Sequence, residues 1–268
     1  MREYWLRQAG NDEERALVER LWDLLVQVET REVPAFTFFL DPGQQVLART
    51  ILETRRQTVA YQQQGGFTGE PERCRLLLFP ADWAEFGFEQ PGVTVMRVEG
   101  RFQFFQPGHR DILGSMLASG IKRELVGDIL CTEKGIWVAV ASEIVSALQC
   151  QWNRVGPVPV ELLPEPEPPA ITRPAGEERL VSLASPRLDA LLAQSAGVAR
   201  QQAVEWITSG LVRLNWRQCL KPAAEIQPGD WLSVQGFGRV LVKAQNGNSK
   251  KGRFLFKVEI WSKTGRGG

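Results

Sequence analysis

The stretch Ser185-Pro186-Arg187-Leu188-Asp189-Ala190-Leu191-Leu192, continued by Ala199-Arg200-Gln201-Gln202-Ala203 and by Ile207-Thr208-Ser209-Gly210-Leu211-Val212-Arg213-Leu214-Asn215, sets the reading of the whole chain. Ser185 is placed to cap a helix whose first position is Pro186, since a hydroxyl accepts from a free helical N–H and proline has none to lose. Leu188, Leu191 and Leu192 form the apolar stripe of that helix. A second helix is expected over Arg200–Thr208, with Ala203, Val204 and Ile207 inward and Gly210 as its stop. Strands follow at 211–214, 231–235, 239–244 and 254–260, and the last two are expected to join through an Asn246-Gly247-Asn248 turn. Two short helices running into a small sheet make this end of the chain an α+β module.

Upstream of it, residues 156–178 hold Pro157, Pro159, Pro164, Pro166, Pro168, Pro169 and Pro174. Proline removes backbone donors and favours extended chain, so the stretch reads as a semi-rigid linker. Charge divides at the same place. Residues 1–176 carry 18 Lys/Arg and 24 Asp/Glu, a balance of −6, whereas 177–268 carry 14 and 7, a balance of +7. The basic module therefore points to a polyanionic partner. Hydrophobic content of 43% and charged content of 24% are globular values. No apolar run approaches the roughly 18–20 residues that span a bilayer. Met1-Arg2-Glu3-Tyr4-Trp5 is too polar to begin a signal peptide, which points to the cytoplasm or plastid stroma, and the protein is expected to be a monomer. Cys74, Cys131, Cys150 and Cys219 are scattered without a C-x-x-C pair, as expected of reduced thiols with no metal to hold.

Before the linker two further units are expected. In residues 1–70, Leu17, Leu21, Leu24, Leu25 and Val28 mark an amphipathic helix, and a strand covers 36–40. Asp41-Pro42 with Gln44 is a capping-box start, and Val46, Leu47 and Ile51 of the helix behind it point inward. Residues 71–155 read as strands and helices in the order β-α-β-β-α-β of a ferredoxin-like or RRM-like domain. Its strands are placed at 75–79, 93–105, 127–131, 136–141 and 151–155. The aromatic RNP signature of a true RNA recognition motif is missing, although Phe102, Phe104 and Trp137 could stack on bases.

Residues 185–243 resemble the S4 RNA-binding domain through the segments quoted above together with Gly229-Asp230 and Gly236-Phe237-Gly238-Arg239. Ala199-Arg200-Gln201 replaces a common Ser-Arg-Ser, and with it a helix-capping hydroxyl. The resemblance implies RNA contacts from Ser185, Arg187, Asp189, Arg200, Gln201, Arg213, Asn215, Arg217 and Lys221. Arg187 and Arg200 lie where helix N-termini favour an anion and are expected to project into solvent. Replacing either by alanine should then change stability by no more than about 0.5 kcal/mol. His109-Arg110-Asp111-Ile112-Leu113-Gly114, Gly120-Ile121-Lys122-Arg123 and Gly127-Asp128-Ile129 are similar to the H-R-D-x-L-G…G-I-x-R-x-x-x-G-D-I block of the YlmH family, and Phe39-Leu40-Asp41-Pro42 fits its N-terminal unit. His109, Arg110, Lys122 and Arg123 form a second basic patch. Within the family the chain is most similar to the photosystem II S4 domain proteins of oxygenic phototrophs. The wider family implies binding to ribosomal RNA or tRNA on the large ribosomal subunit, in rescue of stalled nascent chains.

Enzyme readings find little footing. The kinase-like H-R-D triplet has Met116 where the catalytic Asn would stand, no phosphate-binding loop is present, and His109 is the only histidine. A pseudouridine synthase would need a larger catalytic domain, and the R-L-D of Arg187-Leu188-Asp189 falls inside the S4 helix. A third class, assembly factor for a photosynthetic membrane complex, would need an exposed apolar surface. The expectation is therefore a non-catalytic RNA-binding protein without cofactor or metal. Its basic module is taken as 179–262, followed by a disordered tail at 263–268, and a fragment from residue 180 onward should carry most of the RNA affinity.

Overall fold

Leu17, Val18, Leu21, Leu25 and Val28 are buried along one face of α2 (Asp12–Arg31), which follows the short α1 (Arg2–Gln8). The computed structural model describes residues 1–172, 175–248 and 252–262. After β1 (Ala35–Phe36), Asp41 accepts from the Gln44 N–H while the Gln44 side chain accepts from the Asp41 N–H, and this reciprocal cap opens α3 (Pro42–Glu53). Two strands follow, β2 (Val59–Gln64) and β3 (Arg75–Pro80), and the sheet order is β1-β3-β2. Leu47 and Ile51 are buried as expected. Val46 is 53% exposed, because it lies on the outer side of the cap turn.

The middle sheet is built from β4 (Val93–Gly100), α4 (His109–Ala118), β5 (Val126–Thr132), β6 (Gly135–Ala141), α5 (Val145–Gln151), β7 (Arg154–Val155) and β8 (Val158–Pro164). Its order is β5-β6-β4-β8-β7, antiparallel throughout, which is the ferredoxin-like arrangement with one short strand added at the edge. Three boundaries differ from the sequence reading. Strand β3 pairs with β1 and β2, so 75–80 belongs to the first sheet: its six residues are all buried, and a run apolar on both faces carries no alternation to say which sheet it joins. The linker expected at 156–178 begins too early, since β8 lies between β4 and β7. Pro164 is tolerated there because its pair with Met96 is a non-hydrogen-bonded one. The next residue, Glu165, gives its N–H to the Val95 carbonyl, so the missing donor faces away from β4. The strand expected at 93–105 stops at Gly100, and a single 3-10 turn covers Phe102–Phe104.

One face of the middle sheet packs Met96, Val98, Val138 and Val140 against Ile112, Met116 and Leu148 of α4 and α5. The other face packs Val95, Trp137, Ala139 and Ala141 against Phe39 and Phe67 from the first part of the chain. At Gly127 the fit is so close that a Cβ would lie 2.5 Å from the Phe39 ring. Arg75 ties the two sheets together. Its buried guanidinium donates to the Thr37 and Gly92 carbonyls at 2.8 and 2.7 Å and to both Glu143 oxygens at 2.7 and 2.8 Å. Burial by itself would push the Glu143 carboxyl up, but the Arg75 hydrogen bond and charge hold it below its ordinary value.

Residues 1–173 form one compact unit and 174–268 another. In the second, β9 (Glu177–Leu183) leads to α6 (Leu188–Ala196), α7 (Arg200–Thr208), β10 (Val212–Leu214), β11 (Arg217–Gln218), β12 (Trp231–Val234), β13 (Gly238–Asn248) and β14 (Phe254–Ser262). The six-stranded sheet has the order β11-β10-β12-β13-β14-β9. Leu188, Leu191, Leu192, Ala203 and Ile207 bury against its inner face, on Val240, Val242, Phe256 and Val258. Strand β9 is masked in the sequence by its position beside the prolines, and a fragment starting at residue 180 would cut it. Asn246, Gly247 and Asn248 continue β13 and do not form the turn; the tail at 263–268 lies outside the described residues. Among the described residues no helix is long and apolar enough to cross a membrane.

Removing the Arg75 guanidinium would orphan two buried carbonyls while the half-exposed Glu143 returns to water. We expect Arg75→Leu to lower unfolding free energy by about 2–4 kcal/mol. Glu143→Gln, which keeps an acceptor, should lower it by less than half as much. Urea denaturation of the two variants checks the order; equal and negligible losses would refute the tie.

Candidate nucleic-acid interface

The two arginines picked out from the sequence converge on one carboxylate. Arg187 is the N-cap of α6, Asp189 lies in the first turn of that helix, and Arg200 opens α7. Arg187 donates through Nε to Asp189 Oδ1 at 3.1 Å and through Nη2 to Oδ2 at 2.9 Å. Arg200 donates through Nε to Oδ2 at 3.2 Å, and through Nη2 to Oδ2 at 3.0 Å and Oδ1 at 3.2 Å. Asp189 is 2% exposed, while the arginine side chains remain 38% and 57% exposed. The carboxylate is shallow, roofed by the guanidiniums themselves. Burial would raise its pKa, but hydrogen bonds from Arg187 and then Arg200 outweigh that and hold it below the ordinary value. Arg187 is correspondingly raised by its bond to Asp189.

This arrangement corrects three expectations. Asp189 lies beneath the surface and cannot itself face RNA; it orients the two cations. The arginines do not project freely, because each is anchored on one side and presents only its remaining edge. Ser185 does not cap α6. The Ser185 carbonyl accepts from the Arg187 N–H, and the first N–H groups of the helix, Leu188 and Asp189, donate to the Ala224 and Pro222 carbonyls. The α6 terminus is thereby occupied by chain, whereas α7 begins at Ala199 without a side-chain cap, as the replacement of a hydroxyl there implied.

Beside Arg200, an open groove of about 540 Å³ between β9, α6 and the start of α7 is lined by Ser182, Ser185, Gln194, Arg200 and Arg253, and not by Arg187. Nothing local in the sequence marks Arg253 as part of this site. Its contact with Ser182, through Nε to Oγ at 3.0 Å, joins residues 71 apart. Gln201 is exposed and leans toward Glu205. Arg213, Arg217 and Lys221 are exposed, but Arg213 rises from β10 on the outer sheet face, away from the helices, whereas Arg217 pairs with inward-facing Leu214 and lies on the opposite face at the sheet edge. Asn215 serves the fold, since its side chain donates to Asp230 at 2.7 Å and accepts from the Trp231 N–H at 2.9 Å.

The second basic patch is only partly assembled. Arg110 and Lys122 are exposed. Arg123 instead turns back to the Val126 carbonyl, and burial, together with neighbouring Arg73, lowers its pKa to about 10. Arg73 is a cation that the sequence does not single out. It donates to the Phe39 carbonyl at 2.7 Å, and the N–H groups of Glu72 and Arg73 both donate to Asp128. His109 opens α4, and desolvation followed by the charge of Arg123 lowers its pKa. The face on which an RRM-like sheet stacks bases is covered at its centre, with Trp137 buried beneath Phe39 and Phe67. Of the three aromatics considered, only Phe104 is fully exposed. Among the described residues no group of acidic, cysteine or histidine side chains could hold a metal ion.

Residues 88–167 match the family described as "Putative RNA-binding domain in YlmH", and residues 186–232 match the S4 domain. The first match spans β4 to β8, which agrees with the sheet and not with the boundaries read from sequence. The chain is 30% identical over 255 residues to the ribosome-associated protein quality control protein P2 of Bacillus subtilis (strain 168), covering 92% of this chain and 95% of that protein. It is also similar to the solved structure of the cell division protein ylmH from Streptococcus pneumoniae, at 24% identity and a TM-score of 0.47, over 59% of this chain and 94% of that one. With a YlmH-type middle domain, an S4 domain carrying the paired arginines and a relative matched along nearly its full length, the chain belongs to the YlmH family of S4-domain RNA-binding proteins.

Proposed function

We propose that this protein binds structured RNA without catalysing a reaction, and that its ligand is ribosomal RNA or tRNA on the large ribosomal subunit during quality control of translation. The observation that carries this reading is the pair Arg187 and Arg200 held side by side on Asp189. Guanidinium donors fixed in a plane match the oxygens of a phosphate, and anchoring one edge of each lowers the entropy lost when the other edge binds. The +7 balance of residues 177–268 supports the same partner. The ribosomal setting is supported by the Bacillus relative, whose name assigns that protein to ribosome-associated quality control. A pseudouridine synthase reading would need a free aspartate, and both oxygens of Asp189 are engaged by cations.

Because Arg187 and Arg200 both pair with and roof Asp189, alanine at both would remove its charge-assisted hydrogen bonds and open the carboxylate to water, which should lower the melting temperature modestly. A neutral variant separates folding from binding: Arg187→Gln, Asp189→Asn and Arg200→Gln together remove the charges on both sides. We expect it to melt close to the wild type. Its slope of log affinity against log salt for a ribosomal RNA hairpin should fall by roughly 0.7–0.9 per lost phosphate contact. An unchanged slope in the folded triple variant would sink the assignment.

Acid should act on the same site. The folded pKa of Asp189 is depressed, so its contribution is present above the unfolded value near 4 and is lost as pH falls through the folded value. In Asp189→Asn that part of the acid dependence should vanish, which melting curves below pH 5 would show.

The C-terminal unit, 174–268, has its own core and keeps β9 whole. It should bind RNA hairpins with most of the affinity of the full chain and leave every base unmodified by mass spectrometry. Equal affinity in residues 1–173, or a new nucleoside, would refute the corresponding half of the proposal.

A further inference from the structure

Three tryptophans rise together from the outer face of the C-terminal sheet, the face opposite α6 and α7. Trp231 on β12 and Trp261 on β14 lean across β13 until their rings stack, centroids 5.3 Å apart and planes within 19°. Trp216 extends the row from the β10–β11 turn, 6.3 Å from Trp231 and inclined by 32°. All three are half-buried, so part of each ring system meets solvent.

The way Trp216 is held is unusual. Asn215 and Trp216 are the two central residues between the paired Leu214 and Arg217, with φ of +50° and +65°. Positive φ at both positions is the signature of the tight hairpin turn that favours Asn-Gly. Glycine would adopt the second position without strain; a bulky side chain there is a costly conformation, of the kind that persists where the side chain has a use. Here it delivers an indole to the end of a stack.

Charge identifies the occupant. A cross-strand row runs Arg213–Ser233–Arg239–Trp261 on the same face. Among the described residues, Glu178, Glu259 and Asp230 of this face each hold other groups. Glu178 and Glu259 bind Lys243 at 2.9 and 2.6 Å, Glu178 also binds Lys257 at 2.8 Å, and Asp230 accepts from Asn215 and from the Gln227 N–H. The surface therefore combines aromatic faces with arginine, the chemistry that takes unpaired bases and their phosphates.

We infer that the outer sheet face, with Trp216, Trp231 and Trp261 and the flanking Arg213 and Arg239, binds a single-stranded RNA segment by base stacking. It would leave the helical face, with Arg187 and Arg200, to structured RNA. The inference rests on the reading of the chain as an RNA-binding protein and adds a second contact of different chemistry.

The test uses the full chain, a fluorescent oligouridylate of roughly 10 nucleotides and a separate ribosomal RNA hairpin. Trp216→Gly removes the ring while relieving the turn, so it should melt no lower than the wild type. It should bind the oligouridylate about tenfold more weakly, one stacked base being expected to contribute roughly 5- to 150-fold, with hairpin binding unchanged. Trp261→Leu, which keeps apolar bulk, should do the same, and Arg239→Gln should lower the salt slope for the oligouridylate alone. If folded Trp216→Gly and Trp261→Leu bind the single strand as the wild type does, the stack serves packing or a protein partner and the inference fails. Equal losses for both RNAs would also overturn it, by showing one site and not two. Wild-type protein that binds the hairpin but not the oligouridylate defeats this inference alone, whereas protein that binds neither defeats the RNA-binding reading beneath it.

Discussion

Two guanidiniums repel one another, and Arg187 and Arg200 stand side by side because Asp189 lies between and beneath them. The carboxylate satisfies one edge of each cation and leaves the other edge at the surface. That single acceptor also sets the relation between the start of α6 and the start of α7, since it is covalently part of one helix and bonded to the other. The geometry of the paired arginines is therefore a property of the helix packing: Leu188, Leu191, Ala203 and Ile207 seat both helices on the sheet, and the triad forms where their N-termini meet. A charge cluster built this way is rigid at little entropic cost, which suits recognition of a polyanion whose affinity is set by phosphate contacts.

The N-terminal unit applies a related device inward. Arg75 is buried, and its bonds to Thr37, Gly92 and Glu143, with the Phe36 ring beneath it, join the first sheet to the ferredoxin-like one. Phe39 and Phe67 cover the centre of the middle sheet. The usual stacking face of an RRM-like sheet is thus spent on internal packing, and exposed Arg110, Lys122 and Phe104 are left around its edges. In the C-terminal module the reverse holds. There the outer sheet face keeps Trp216, Trp231 and Trp261 half-buried, with part of each ring system at the surface.

Some elements are legible in the sequence because their signals are local. The capping box at Asp41, the apolar stripes of α2 and α6, and the glycine stop at Gly210, with φ of +79°, each depend on residues within one or two turns. The ferredoxin-like order also emerges, since strands and helices alternate with distinct periods. Other features carry no such signal. The partner of β3 is illegible because a strand buried on both faces looks the same in any sheet. Strand β8 is disguised by its prolines, of which Pro164 has its missing donor pointing away from β4. The role of Arg73 depends on carbonyls of Phe39 and Val126 that lie 34 and 53 residues away.

The amino-acid sequence by itself determined the basic balance of the C-terminal part, which follows from composition, while its resemblance to the S4 domain is what singles out Arg187 and Arg200. The tertiary structure alone decided what those cations do. It buried Asp189 under them, turned Arg123 back onto the chain and brought Trp216, Trp231 and Trp261 into one stack across three strands. Whether a charge meets solvent or a carbonyl, and whether an indole meets another ring, depends on which distant strands and helices pack together, and no local rule encodes that.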